Sequence, residues 1–196
     1  EYDKRNSYGV FQHVPARHEA LVWLGMSYVS QGDFDQALEV IAFIEADRKF
    51  AKEYDRAFLA LETFYFLEKE NWSQSLEKID ELIGSTKKKK DKSRLYFIQG
   101  QLLDLQGETN PAIASFESVL KSNPPFEMAF YAKLKIAELS SRSGRSSDEV
   151  RKMLAKMAKE AKNVQYLDQI FYASALVEYN ANREELALDF LRQSLN

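Results

Sequence analysis

The residues able to do chemistry are few and scattered. Cysteine is absent, which excludes disulfides, thiol catalysis and thiolate metal sites. His13 and His18 lie five apart, the wrong spacing for one helix face, and no acid cluster adjoins them in sequence, so they read as two surface histidines. Asp168 and Asp189 are isolated carboxylates without a partner at fixed spacing. No Ser/His/Asp set and no paired acids can be assembled. The stretch from Ser140 to Asp148 has serines and Gly144, but it lacks the Gly-x4-Gly-Lys-Ser/Thr spacing and the preceding strand of a phosphate loop. Lys87 to Lys90, with Asp91 and Lys92, is the strongest charge run; without interleaved aromatics it reads as a solvated loop rather than a nucleic-acid site. Glu138 is the one carboxylate expected on an open helix face, where a helical-toroid enzyme or transglycosylase-associated domain would need its acid. The chain therefore reads as a non-enzyme with no catalytic, cofactor or metal site.

The elements that would position these residues repeat. Leu21-x2-Leu24-Gly25-x2-Tyr28 is followed by a break at Gln31-Gly32-Asp33 and then by Ala37-x3-Ile41. Arg94 to Leu105 is followed by Gly107, Asn110-Pro111, Ala112-x3-Phe116 and Asn123-Pro124-Pro125. Looser copies give Ser75-x3-Ile79, Val150-x3-Leu154 and Ala187-x3-Leu191. The small-residue slot falls at 37, 75, 112, 150 and 187, a spacing of 37 or 38. Second helices open with Asp33-x-x-Gln36, Asn71-x-x-Gln74, Ser146-x-x-Glu149 and Asn182-x-x-Glu185, each able to form a capping box. The middle unit uses Asn110-Pro111 instead.

Trp23 and Tyr28 are expected to pack in the core, as aromatics at helical spacing usually do. Phe58, Phe64, Tyr65 and Phe66 are too many for one helix face, and Phe64 is expected to look into a concave side.

The pattern resembles the tetratricopeptide repeat, with its Trp-x2-Leu-Gly-x2-Tyr first helix and Ala-x3-Phe…Pro second helix. The period exceeds the usual ~34 by about a turn. The fold expected is all-α: a right-handed superhelical solenoid of antiparallel helix pairs. Residues 1–17 would form an N-terminal arm or the end of a preceding repeat, and residues 18–196 about five hairpins. With Glu1 first and no capping unit after Asn196, the chain reads as a slice of a longer protein.

Composition agrees with a folded protein: 45% of the 196 residues are hydrophobic and 29% charged. A net charge of −3 gives no general case for nucleic-acid binding. No run approaches the ~18 apolar residues that span a bilayer.

Three phrases carry a narrower resemblance: Glu19 to Gly25, Asn123 to Phe130, and Asn163 to Ala173. With the lysine run leading into Arg94-Leu95-Tyr96-Phe97, they are similar to the repeat region of the PorW/SprE-type gliding-motility lipoproteins of Bacteroidetes. That resemblance implies a lipoprotein at the periplasmic face of the outer membrane, held by a lipid anchor outside this sequence and linking components of the type IX secretion system. Gln99, Glu62 and Ser174 depart from the generic repeat by placing polar residues in usually apolar slots.

The function that follows is a protein-interaction scaffold; the alternative is a general tetratricopeptide adaptor or assembly factor unrelated to secretion. First helices should line a concave groove for a protein or peptide partner. Counting along them places Val22, Met26, Ala60 and Phe64 there from the early repeats. Phe97, Gln101, Tyr131, Leu134 and Glu138 follow, then Tyr172 and Leu176, with Arg94 at the edge. A chaperone-tail clamp would need Lys and Asn where Val22, Met26, Phe64 and Phe97 stand, so a carboxylate-clamping co-chaperone is disfavoured.

Overall fold

A computed structural model describes residues 16–143 and 147–195. Among them are ten α-helices and no strand. They form two compact units. The first unit holds α1 (Arg17–Gln31), α2 (Phe34–Ala46), α3 (Asp55–Glu68) and α4 (Trp72–Ser85). The second holds α5 (Lys89–Leu105), α6 (Thr109–Lys121), α7 (Phe126–Arg142), α8 (Ser147–Lys159), α9 (Leu167–Asn180) and α10 (Glu184–Ser194). Consecutive helices pair as hairpins, and first helices touch one another: α1 with α3, α5 with α7, and α7 with α9.

One backbone device closes the four described turns inside the hairpins. Gly32, Glu70, Gly107 and Asn182 all take left-handed φ, at 75°, 54°, 79° and 57°. In each turn this residue's N–H bonds back three residues, and the next residue's N–H bonds back five. Examples are Gly32 to Val29 at 3.0 Å and Asp33 to Tyr28 at 3.0 Å, or Asn182 to Tyr179 at 3.0 Å and Arg183 to Glu178 at 2.9 Å. These two bonds are the Schellman pattern, which satisfies the last carbonyls of the first helix. The second helix then starts at once: the carbonyls of Asp33, Asn71, Glu108 and Arg183 accept from Ala37, Ser75, Ala112 and Ala187.

Side-chain caps follow that register in part. Asp33 accepts from the Gln36 N–H at 3.3 Å. Asn71 accepts from the Gln74 N–H at 3.3 Å, and its amide donates to the Gln74 side chain. The box expected at Asn182 is displaced: Arg183 is the cap, and Asn182 is used one residue earlier for the left-handed turn. In the middle unit α6 begins at Thr109 behind Glu108, so Pro111 is its third residue, where its missing N–H would have no partner inside the helix anyway. The turn at Gly144 and the box from Ser146 lie outside the described residues.

The small slots are buried, with Ala37, Ser75 and Ala112 at 0% exposure, Ala187 at 3% and Val150 at 6%. Close approach explains two glycines. A Cβ on Gly25 would stand 2.5 Å from Leu61 Cδ2, and one on Gly100 would stand 2.9 Å from Phe116 Cζ. Leu61 and Phe116 are both wholly buried, the first in the core of the first unit and the second in a core of the second. A further core joins Phe130, Ala137, Leu154, Ile170 and Val177.

The polar departures are all accommodated. Glu62 meets Lys78 at 2.9 Å across α3 and α4. The Ser115 hydroxyl donates to Gln99 Oε1 at 2.7 Å across α5 and α6, and the Ser174 hydroxyl donates to the Ile170 carbonyl at 2.9 Å. Burial pushes the Glu62 carboxyl above its ordinary value, with Lys78 opposing.

Several side chains stand elsewhere than expected. Trp23 is 65% exposed, because the buried stripe of α1 runs through Val22, Gly25 and Val29 and leaves its neighbour outside. Tyr28 does pack against the core. His18 is not a surface histidine. Its Nδ1 accepts from the Ala51 N–H at 3.3 Å, its ring lies 4.9 Å from Phe50, and Asp47 Oδ2 is 3.7 Å from Nε2. The loop after α2 brings these partners from far along the chain. His13 and the rest of residues 1–15 lie outside the described residues. Lys87 to Lys90 are exposed as expected, but Lys89 and Lys90 already belong to α5.

Candidate functional site

A groove of about 620 Å³ opens on the second unit. Its apolar wall comes from three successive first helices: Phe97 on α5, Tyr131 and Leu134 on α7, and Tyr172, Ala173 and Leu176 on α9. Phe97 is seated edge-on against Phe116, with ring centroids 5.4 Å apart, and Gly100 makes the room for that ring. Tyr131 is braced edge-on by Phe130 at 5.4 Å, which itself lies tilted against Tyr166 at 4.7 Å. The two tyrosines still present much surface: Tyr131 is 40% exposed and Tyr172 53%.

Polar groups occupy one flank. Lys135 Nζ reaches Glu138 at 3.0 Å and Asp104 at 3.4 Å. Arg142 bonds Asp104 at 2.5 Å and lies 3.9 Å from Glu138. Two cations and two carboxylates thus form one closed cluster, so Glu138 is committed to ion pairs. At the opposite rim Asp168 stands in the first turn of α9, exposed, and has no ion-pair partner among the described residues. The Ser194 hydroxyl donates to the Asp168 carbonyl at 2.8 Å and ties the end of α10 to that rim.

The structure thus brings together Phe97, Gln101, Tyr131, Leu134, Glu138, Tyr172 and Leu176. It does not bring the other expected residues to this groove. Val22 is 4% exposed inside the core of the first unit, and Met26 and Phe64 are half-buried against that core. Arg94 is exposed one turn ahead of Phe97 and does not line the cavity. Sequence reasoning missed Lys135, Asp168 and Ser194. The repeat register carried a signal for Lys135, which stands fifteen residues before its small slot, as Phe97 and Tyr172 do.

A second cavity, of about 340 Å³, lies among α8, α9 and α10 over Leu154, Phe171, Ser174 and Phe190. Beside it Arg151 bonds Glu178 at 2.6 Å and Asp148 at 2.7 Å. The Glu178 side chain is 5% exposed, and its bond to Arg151 is the leading cause that holds the guanidinium above its ordinary value, against burial. This pair was also missed. Its signal was positional: Arg151 stands where the other repeats carry Leu38, Leu76, Ile113 and Leu188.

Among the described residues no group of His, Asp and Glu is placed to hold a metal, and no helix is long and apolar enough to cross a membrane.

Tetratricopeptide repeat models match residues 19–42 and 93–126. Similar solved structures include MamA AMB-1, with a TM-score of 0.65 and 14% identity, covering 92% of this chain and 91% of that one. MamA MSR-1 gives a TM-score of 0.62 at 14% identity, covering 91% and 95%. A Podospora anserina putative kinesin light chain with nearly identical TPR-like repeats gives 0.67 at 14%, covering 93% and 95%. No curated protein sequence is significantly similar to the chain. The fold is all-α and tetratricopeptide-like, and the stretches 19–42 and 93–126 match the tetratricopeptide repeat.

Proposed function

We propose that the groove on α5, α7 and α9 is the working surface of a non-enzymatic scaffold and takes a peptide or helix of a protein partner. One observation carries this reading. Aromatic and aliphatic side chains from three successive first helices converge on one open cavity, and its two tyrosines stay 40% and 53% exposed. A groove of about 300–1,000 Å³ walled by aromatics over a filled core is the usual form of a recognition pocket. Aromatic anchors of this kind carry much of the energy of an interface, on the order of 2 kcal/mol or more each.

The double variant Phe97→Ala/Tyr172→Ala tests it. Partners recovered by the wild-type protein from envelope extract, and confirmed with purified components, should be lost by the variant while far-UV dichroism is retained. Equal recovery removes the groove from the function.

The narrower reading within this proposal is an outer-membrane-associated component of type IX secretion and gliding motility. Its support is the similarity of Asn123 to Phe130 and Asn163 to Ala173 to the PorW/SprE-type repeat region. Its test is co-isolation of the full-length protein with secretion components from outer-membrane fractions. Recovery with unrelated partners in another compartment favours a general tetratricopeptide adaptor.

A further inference from the structure

We infer that the occupant of this groove is a cationic amphipathic segment: apolar side chains against Phe97, Leu134 and Leu176, with a lysine or arginine beside them paired to Asp168. The inference rests on the scaffold reading above and adds the chemistry of the partner.

The charge inventory of the groove decides it. The two cations near the wall, Lys135 and Arg142, are both engaged by Asp104 and Glu138 at 2.5 to 3.9 Å. An incoming carboxylate would meet only cations whose charge Asp104 and Glu138 already neutralise. Across the apolar wall, Asp168 is exposed, with no cation within ion-pair distance among the described residues. An incoming cation therefore meets an unengaged carboxylate and displaces nothing. It also meets two exposed tyrosine rings, whose faces attract ammonium and guanidinium groups. Docking an apolar segment beside Asp168 removes water from the carboxylate, so an uncharged or acidic neighbour in the partner is penalised and a basic one is favoured. The same arrangement disfavours partners held by a C-terminal carboxylate.

The test is selection from a library of amphipathic peptides of about twelve residues, with fixed apolar positions and randomised Lys, Arg, Gln, Asp and Glu between them. Selection is run on the full chain as wild type, as Asp168→Asn, and as Phe97→Ala/Tyr172→Ala. Far-UV dichroism confirms that each variant is folded. The expected result is enrichment of Lys or Arg over Asp and Glu on the wild type, in binders that the double variant loses. Individual basic peptides should bind the wild type about fivefold more tightly than their Gln counterparts, as an exposed ion pair provides. That preference should vanish in Asp168→Asn and fade with added salt. Groove-dependent binders without basic enrichment, or with enrichment that survives Asp168→Asn, overturn this inference and leave the scaffold reading standing. No binder that depends on Phe97 and Tyr172 overturns both.

Discussion

The first helices of the two units are written to the same spacing, yet one set closes on itself and the other stays open. Eleven and fifteen residues before the small slot, the first unit carries Met26 and Val22 on α1 and Phe64 on α3. Val22 is buried, and Met26 and Phe64 lean on the core around Leu61. The second unit carries Gln101 and Phe97, Leu139 and Lys135, then Leu176 and Tyr172 at those places, and all but the wholly buried Leu139 line the groove. Spacing selects the face of the helix. Whether that face remains a surface depends on what already fills the space behind it. Behind Phe97, Phe116 fills the core under Gly100, so Phe97 rides above it. In the first unit Val22 is absorbed, and Met26 and Phe64 stay half-buried against the core.

The strongest way to break this comparison is to jam the close approach in each unit. Gly25→Leu and Gly100→Leu force branched side chains into Leu61 and Phe116, and each should cost more than ~3 kcal/mol. Hydrogen exchange should show protection lost first in the unit that carries the change. A melting temperature equal to wild type for either variant would mean that the glycine does not set the helix spacing. Next in size is Arg151→Met, which strands the buried Glu178 with only Arg183 at 3.8 Å and should cost about 3 kcal/mol by urea unfolding. The first unit has a gentler counterpart: Lys78, opposite Glu62, is also within 3.8 Å of Glu81 and keeps more solvent contact.

These contrasts show what the sequence made legible. The hairpins, their register and the small slots could be read because close packing and capping leave local marks every 37 or 38 residues. Seven groove residues were legible for the same reason, since a helix face is a matter of counting. Val22 was misplaced because counting cannot say whether a face is covered. Trp23 was misplaced because the residue type was weighed above its angle from the buried stripe. His18 was misread because its partners, Ala51 and Asp47, arrive through a loop whose path no periodicity encodes.

A smaller effect sharpens the comparison at the turns. Glu70 occupies the left-handed position that Gly107 occupies in the second unit, at φ 54° against 79°. A side chain in that region costs about 1 kcal/mol, so Glu70→Gly should stabilise by roughly that amount and Gly107→Glu should destabilise by as much. Urea midpoints of the two variants, shifted in opposite directions at constant slope, check this.

The smallest effect separates the units by pH. One internal place is filled by the Glu62–Lys78 ion pair in the first unit and by the neutral Gln99–Ser115 hydrogen bond in the second. Burial raises the folded-state value of Glu62 above 4.5, with the Lys78 hydrogen bond and charge opposing. The native protein therefore holds this proton at a pH where the unfolded chain has released it, and ionised Glu62 is a liability above that window. Glu62→Gln should then raise the melting temperature slightly at pH 7. The gain should shrink to nothing as pH falls through the raised value to below 4.5, where wild-type Glu62 is itself neutral. Ser115→Ala in the second unit should show a stability change with no such dependence, because the hydrogen bond it removes joins two uncharged groups. A Glu62→Gln difference that stays constant from pH 7 to pH 4 would mean that the Lys78 bond cancels the burial penalty, leaving the two units alike at this position.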